Sequence, residues 1–525
     1  MLPSLMCLGK DLRRIVSALV AILLLTSMLT YISGISAAIV TIEQGRYWVH
    51  YFPLPEDVSI YHWEENDSSY VEVSIYFPTE GYIVEDWGTT NATGNNISVD
   101  AKIWGWIGIT LPMIKIENNT YSLGSLSAGE YLFTFKAWEW TIKEITFINA
   151  DIVVPDDYPT IQEAINAAVN GDTIIVRNGT YYENVIINKT ISLVGEDKET
   201  TIIDGGELWS VVRILANDVI VQGFTIKNCR RTGGVGSEEE RSCVMVKGNN
   251  TLIKNNEIAH DNISMSWYIG IYLLQSSNNI IDRNYMKDDW NAIGVLLVQS
   301  SNNTISNNNM TDNGDGIWIE DYSSNNTVYG NTITDSWFSG IIVQLYSHNN
   351  NFYENTITGT NYEGIFLSRS NYNTFSGNFI ANNGLGVELA TGAPFNKFYH
   401  NNFINNTQWV HDPQNLVTFW DNGCEGNYWS NYNGTDLNED GIGDEYLPWE
   451  GVDNYPLMNP YWNPADINHD SKVDIFDVVL AAGAYLSTLS DLNWNCHCDI
   501  TEPYGVIDIF DIVMICTSYG EEYTP

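Results

Sequence analysis

Basic residues are scarce in this chain. Lys and Arg total 23 of 525 residues against 65 Asp and Glu, for a formal net charge of −42. A chain so short of positive charge lacks the surface that phosphate backbones require, which argues against nucleic acid as a partner. An anionic membrane would repel it, whereas divalent cations and neutral glycans would not. Long apolar runs are missing too, except from Ile15 to about Ile32. That run follows Lys10, Arg13 and Arg14 and precedes Ser36-Ala37-Ala38, the order of an export signal with its cleavage site. It is also close to the ~18 residues that begin to allow spanning, so residues 1–38 are a cleaved signal or a retained anchor. Either way the remainder is expected outside the membrane, at the cell surface or beyond it, and membrane contact is expected only through that anchor. Methionine (10) and histidine (8) are few, and His260, His348 and His400 are scattered. They form no soft-ligand cluster for copper.

Cysteine is sparse, and its use is open. Cys7 lies in the export segment, which leaves six, enough for 15 disulfide connectivities. The short-range pairings are Cys229 with Cys243, and Cys516 with Cys496 or Cys498. Sequons such as Asn91-Ala-Thr and Asn433-Gly-Thr are either glycosylation acceptors of an exported chain or the chance product of a composition rich in Asn and Thr.

What the chain does contain is a repeat. Gly270, Gly294, Gly316, Gly340, Gly364 and Gly386 open six similar units spaced 24, 22, 24, 24 and 22 residues apart. Each unit holds short β-type runs between Asn/Ser/Gly turns and has no room for a helix, which points to a parallel β-helix over residues 150–435. Asn256, Asn284, Asn308, Asn331, Asn355, Asn378 and Asn401 fall in one column. Coils stack about 4.8 Å apart, so this column should be a buried ladder of bonded amides. The residues one and three after each glycine should face inward. The residue between them, Tyr272, Leu296, Trp318, Ile342, Phe366 and Glu388 in turn, should face out. With Trp267, Trp290, Trp337, Phe338 and Tyr362 from the preceding turns, this column is either a stacking platform for a linear polysaccharide or a surface packed under another segment.

Two columns carry candidate chemistry. Asp315 and Glu363 precede their glycines two coils apart, roughly 10 Å by the coil spacing and near the separation of inverting glycosidase carboxylates. Asp321 and Arg369 occupy the fifth position after the glycine and offer a charged pair on a nearby face. The competing reading is that Asp-Gly and Glu-Gly are ordinary turn dipeptides.

Before the solenoid, residues 39–149 alternate apolar and polar positions in short runs such as Tyr70–Phe77, as in an antiparallel β-sandwich. Its Trp104, Trp106, Trp138 and Trp140 are core residues or sugar-stacking ones. Thr160 is the N-cap of a helix that places Ile161, Ile165 and Ala168 on one face and ends at Asn170-Gly171. This helix should cap the raw edge of the first coil.

Asp151–Gly206, with IVVPDDYPTIQEAINAAVNGDTIIVRNGTYYENVIINKTISLVGE, resembles the opening of the pectate-lyase-like right-handed β-helix superfamily. The later repeats, Gly426-Asn-Tyr-Trp-Ser-Asn and Asp453-Asn-Tyr-Pro-Leu457, are similar to the NosD or CASH-type branch. This resemblance implies the fold. It leaves activity open, because binders, lyases, hydrolases and epimerases share that fold. The local motifs of polygalacturonases, pectate lyases and mannuronan epimerases are not found, and His411-Asp412-Pro413 only scrambles the last.

The C-terminal 464–525 carries a different pattern. Asp466, Asn468, Asp470, Asp474 and Asp477 fall at positions 1, 3, 5, 9 and 12 of a calcium loop, and Lys472 at position 7 would contribute its carbonyl. Ser471 stands where such loops carry Gly. A helix Val478–Leu486 is expected next. A second, longer copy runs from Asp499 through Asp508 to Asp511, with Pro503 and Tyr504 in its middle. The duplication resembles a type I dockerin, which implies calcium binding and a cohesin-type partner. In dockerins, positions 10 and 11 and the helix behind them make that contact; here those positions are Ile475-Phe476 and Ile509-Phe510, whose other possible role is intradomain core. Cys496-His-Cys498 is the one further metal candidate here. In the linker 436–463, Asp436, Asn438, Asp440 and Asp444 open a third loop of calcium type, with a solvated acidic turn as the alternative.

The sequence therefore reads as an exported modular protein of mainly β structure, without a clear catalytic signature. Its expected function is binding of polysaccharide or envelope glycan by the β-helix and calcium-dependent tethering by the C-terminal module. The alternatives are a polysaccharide hydrolase or lyase on the same solenoid, and a structural envelope protein.

Overall fold

The chain divides between Asp151 and Ile152 into two units. The structure is a computed structural model. It describes residues 48–522 apart from 66–67, 107–113, 128, 231–240, 261–266, 288–291, 439, 489 and 502–504. The export segment, Trp290, Pro503 and Tyr504 lie outside the described residues. No helix among the described residues is long and apolar enough to cross a membrane.

The first unit contains β1 (Trp48–His50), β2 (Val58–Glu65), β3 (Ser68–Phe77), β4 (Tyr82–Asp86), β5 (Asn91–Thr93), β6 (Asn96–Trp106), β7 (Lys115–Gly124), β8 (Gly129–Ala137) and β9 (Trp140–Asn149). One sheet has the order β1-β6-β8-β9 with β4 and β5 added against β6, and the other the order β2-β3-β7. Alternation makes the core: Val71, Val73, Ile75 and Phe77 from β3 meet Phe133, Phe135 and Ala137 from β8, all fully buried. Pairing is antiparallel, as expected, except that β6 and β8 run parallel. The chain leaves β6 for β7 in the other sheet and re-enters beside β6, a crossover that parallel pairing requires. Trp138 is partly buried and donates its indole N–H to the Ile103 carbonyl, whereas Trp140 is 70% exposed.

The second unit is the β-helix. Three parallel sheets of 11, 11 and 10 strands run along it. The first extends from Ile152–Val154 to Lys397–Tyr399, the second from Gly179–Tyr182 to Tyr428–Trp429 and the third from Val185–Ile187 to Gln408–His411. Helix α1 (Ile161–Ala167) sits against the first coil, as its apolar face requires. Thr160 accepts from the Glu163 N–H, and Glu183 accepts the free Ile161 and Gln162 N–H groups.

The repeat glycines lie in the third sheet. A Cβ on Gly294 would stand 2.7 Å from the Gly316 carbonyl oxygen, so successive coils approach too closely there for a side chain. The residues one and three after each glycine are fully buried, from Ile271 and Leu273 to Val387 and Leu389. The asparagine column forms the expected ladder, each amide donating to the next side-chain oxygen at 2.8–3.1 Å from Asn256 to Asn401. It continues to Asn427. A second ladder, from Asn279 through Asn303, Asn326, Asn350 and Asn373 to Asn396, stands at the entry to the first sheet with the same 2.8–3.1 Å contacts. Its signal was the last Asn of the recurring Ser-Ser-Asn-Asn.

The module after the solenoid carries helices α2 (Ile475–Ala484) and α3 (Ile509–Thr517), which pack on each other. Helix α2 begins three residues before the expected Val478, because Asp474 caps it in a reciprocal box with Asp477. Cys229 bonds to Cys243 as expected. Cys496 bonds not to Cys516 but to Cys424 on the solenoid, and Cys498 and Cys516 are free thiols. The partner lies 72 residues away, beyond short-range pairing.

Candidate functional site

The outward column of the third sheet holds the expected register, Tyr272 on Leu296 on Trp318 on Ile342 on Phe366 on Glu388. Its exposure differs from the expectation. Tyr272 and Leu296 are each 2% exposed and form a second apolar cluster with Met245, Ile269 and Ile293, against which Trp318 packs. Phe366 is half-buried. This surface is therefore covered at its N-terminal end, and Tyr272 is not available to a glycan. The accessible aromatics sit one turn earlier. The ring of Phe338 stacks between Trp267 and Tyr362 at 5.7 and 6.1 Å, and Trp267, Trp337 and Tyr362 are exposed. The inner faces of this row are taken up by Phe338, and exposed aromatic side chains at its ends can pack on the apolar faces of sugars.

The paired carboxylates lie beside that row. Ser339 joins them: its N–H donates to Asp315 at 3.0 Å and its hydroxyl to Glu363 at 2.9 Å. Asp315 is 3% exposed, and burial, opposed by the Ser339 bond and aided by the Glu363 charge, pushes its carboxyl up to about 6. Asp321 and Arg369 are not brought together. Leu345 stands between them in the column, and Asp321 accepts from Gln299 at 2.6 Å. All three adopt positive φ near 50°, marking this column as a corner of the coil.

The acidic loops are built alike. Asp466 accepts from the N–H groups of Asp470 and Ser471, Asn468 from Asp470, and Asp470 from Lys472. Asp436 accepts from Asp440 and Gly441, Asn438 from Asp440, and Asp440 from Ile442. Ser471 takes φ 72° and Gly441 φ 85°, so the serine adopts the left-handed turn that glycine usually supplies. Asp444 closes its loop through the Leu437 N–H, and Asp477 closes the other through Ile467 and Asn468. In the Asp499–Asp511 loop, Asp511 accepts from Ile500 and Thr501, and Asp508 caps α3. Asp499 accepts the Gly505 N–H on one oxygen, while the other is buried without a partner. Oxygen donors crowded this way are of the kind that suits a hard cation, and the unpartnered Asp499 oxygen is one more of them. Crowding also shows in Asp466, whose carboxyl burial pushes up to about 6, with the Asp477 charge adding to it.

The two helices present the same apolar face twice. Ile475, Phe476, Val479 and Leu480 on α2 are 44%, 62%, 59% and 39% exposed, and Ile509, Phe510, Val513 and Met514 on α3 are 48%, 62%, 48% and 41% exposed. The Ile-Phe pairs are therefore surface residues. The buried apolar positions of the two helices include Val478, Ala481, Ile512 and Ile515 instead. On each helix the face extends beyond the Ile-Phe pair at the i, i+4 spacing of Ile475 and Val479.

Comparison with known proteins places the solenoid. The family model for the periplasmic copper-binding protein NosD matches residues 165–357 and 290–434, together just over half of the chain. The probable ABC transporter binding protein NosD of Pseudomonas aeruginosa is 37% identical over 90 residues, 17% of this chain and 21% of that protein. Its counterpart in Stutzerimonas stutzeri is 36% identical over the same length. The match thus spans about a fifth of these relatives. Among solved structures, a GH87 α-1,3-glucanase catalytic domain in complex with nigerose is similar at TM-score 0.35 and 12% identity, covering 73% of this chain and 96% of that one. The family 28 exopolygalacturonase of Yersinia enterocolitica is similar at TM-score 0.33 and 11% identity, covering 72% and 91%.

Proposed function

This chain belongs to the NosD family, and from that premise we propose an exported surface protein that binds polysaccharide or envelope glycan through its β-helix and is tethered through its C-terminal module. The N-terminal two-sheet unit is read as a β-sandwich, and residues 464–525 as a dockerin-like module. Calcium in the Asp466–Asp477 and Asp499–Asp511 loops would fix the starts of α2 and α3 and so orient the faces behind them. The observation that carries the tethering is the duplicated exposed face headed by Ile475-Phe476 and Ile509-Phe510. Apolar side chains left open twice in one orientation mark a protein-binding surface, and the partner would be of cohesin type. The test is binding of the full chain to a panel of purified cohesin modules. Binding with calcium that falls at least ~100-fold with chelator supports the proposal, and no binding to any of them contradicts it.

For the β-helix, the supporting observation is the exposed aromatic group Trp267, Trp337 and Tyr362, the first and last of which stack on Phe338. One observation favours a second reading, hydrolysis of the bound glycan. Asp315 is raised to about 6 beside Glu363, which resembles an acid and base held in different environments. Release of reducing ends from a polysaccharide panel, abolished in Glu363→Gln, would support it. No release by the wild type would exclude it.

A further inference from the structure

The last coils of the solenoid and the C-terminal module meet through two consecutive residue pairs. Cys424 bonds to Cys496, and the next residues, Glu425 and His497, are in direct contact. Glu425 Oε1 also meets His469 Nε2 at 3.0 Å, and Glu425 Oε2 meets His400 Nε2. The four side chains are between 6% and 14% exposed. They come from four segments: two adjacent coils of the solenoid, the Asp466–Asp477 loop, and the 3-10 turn Cys496–Cys498. Three of the eight histidines in the chain converge here on one buried carboxylate. Their positions are set by packing, with the His400 ring flat on Tyr461 at 4.0 Å and the His469 carbonyl held by Asn459 at 2.8 Å.

We propose that Glu425, His469 and His497 form a site for a late first-row divalent cation of the Zn²⁺ type, with His400 holding the second carboxylate oxygen of Glu425, and that the ion clamps the C-terminal module to the end of the β-helix. The donor atoms of Glu425, His469 and His497 all lie within 4.8 Å of one another. Zn–N and Zn–O bonds of ~2.0–2.2 Å place neighbouring donors of a tetrahedral shell roughly 3.3 Å apart, so each Glu425–imidazole contact opens slightly to admit the ion, and the fourth position is left to water. One carboxylate is the shared partner of three rings here. A cation at Glu425 Oε1 takes a lone pair from that oxygen and from the His469 and His497 rings, and neutralises the buried charge. Imidazole-rich donor sets select zinc-like ions, whereas calcium takes oxygen, so this site is chemically distinct from the acidic loop that carries His469. Two of the donors, His469 and His497, lie outside the stretch that matches the NosD family, so the site is not a property of that family carried over. The adjacent sulfurs of Cys424 and Cys496 are tied in their disulfide and are not needed as donors.

The test uses the purified, oxidised full chain, stripped of metal and then saturated with calcium. Titration with Zn²⁺ is expected to show one tight site per chain. X-ray absorption at the zinc edge is expected to show a nitrogen and oxygen shell with imidazole scattering. Glu425→Gln and His497→Ala should each weaken Zn²⁺ at least tenfold, while His411→Ala, a surface histidine paired to Glu388, should leave it unchanged. Absence of a tight site in the wild type would overturn the proposal, as would an oxygen-only shell. Binding that appears only after reduction, with sulfur in the shell, would assign the ion to the cysteines and overturn it equally. The wild-type spectrum decides the matter even if a variant fails to fold.

Discussion

Asp453 is the last rung of the asparagine ladder, taking the backbone N–H of Asn427 at 2.8 Å just as Asn427 takes that of Asn401 at 3.1 Å. The same oxygen accepts the indole N–H of the fully buried Trp429 at 2.8 Å, and the other oxygen accepts the Tyr455 N–H at 2.9 Å. Gly426 lies against this carboxylate, where a Cβ would stand 2.0 Å from it. The Gly426-Asn-Tyr-Trp and Asp453-Asn-Tyr segments are thus a single device that ends the solenoid.

Asp453→Ala would leave three donors in a buried site without an acceptor. At about 1–3 kcal/mol for each orphaned group, the expected loss is roughly 3 kcal/mol or more. Urea unfolding followed by tryptophan fluorescence reads it, and a loss below about 1 kcal/mol would show that the ladder needs no terminal acceptor.

Two glycines separate close approach from mere flexibility. Gly294→Ala forces a Cβ within 2.7 Å of the Gly316 carbonyl and 2.9 Å of the Met310 sulfur. It should destabilise the chain by about 1–3 kcal/mol. Gly483→Ala, within α2 and with nothing within 4 Å of its Cβ, should be neutral or stabilise by up to about 1 kcal/mol. Paired thermal melts measure both.

The first unit should weaken in acid through His62. Burial lowers its pKa to about 4; the ring stacks on Phe147 at 3.8 Å, and its Nε2 is buried without a partner. The unfolded chain takes the proton near 6.5, so the contribution of His62 is intact above that pH and is lost as pH falls from about 6.5 to 4. His62→Phe should flatten the melting temperature across that window, and an unchanged slope would remove the assignment.

The aromatic surface gives a split result. Tyr362→Ala, in the exposed aromatic group, should weaken glycan binding while leaving the melt unchanged. Tyr272→Ala, in the covered cluster, should lower the melting temperature, at a cost of about 2–4 kcal/mol. A glycan array with parallel calorimetry checks both, and equal glycan loss in the two variants would contradict the division.

Much of this was legible in the residues. Glycine spacing fixed the coil, and the Asn256 column fixed one ladder, because identical residues at the coil period must stack. The second ladder hid in the same asparagine-rich turns, where the sequence does not say which of two adjacent asparagines turns inward. The covering of Tyr272 and Leu296 was not legible, since exposure depends on what packs over a strand and not on the strand itself. The cluster at Glu425 was invisible for a related reason. His400, His469 and His497 share no spacing, and only the fold brings them to one carboxylate.

The tethering claim meets its most direct test in the affinity of Phe476→Ala, Phe510→Ala and the double variant for a cohesin module in saturating calcium. Because the exposed face occurs twice, each single variant should keep affinity within about threefold of wild type, and the double variant should lose at least ~100-fold. A double variant that binds like wild type, or a wild type that binds no better with calcium than with chelator, would contradict it.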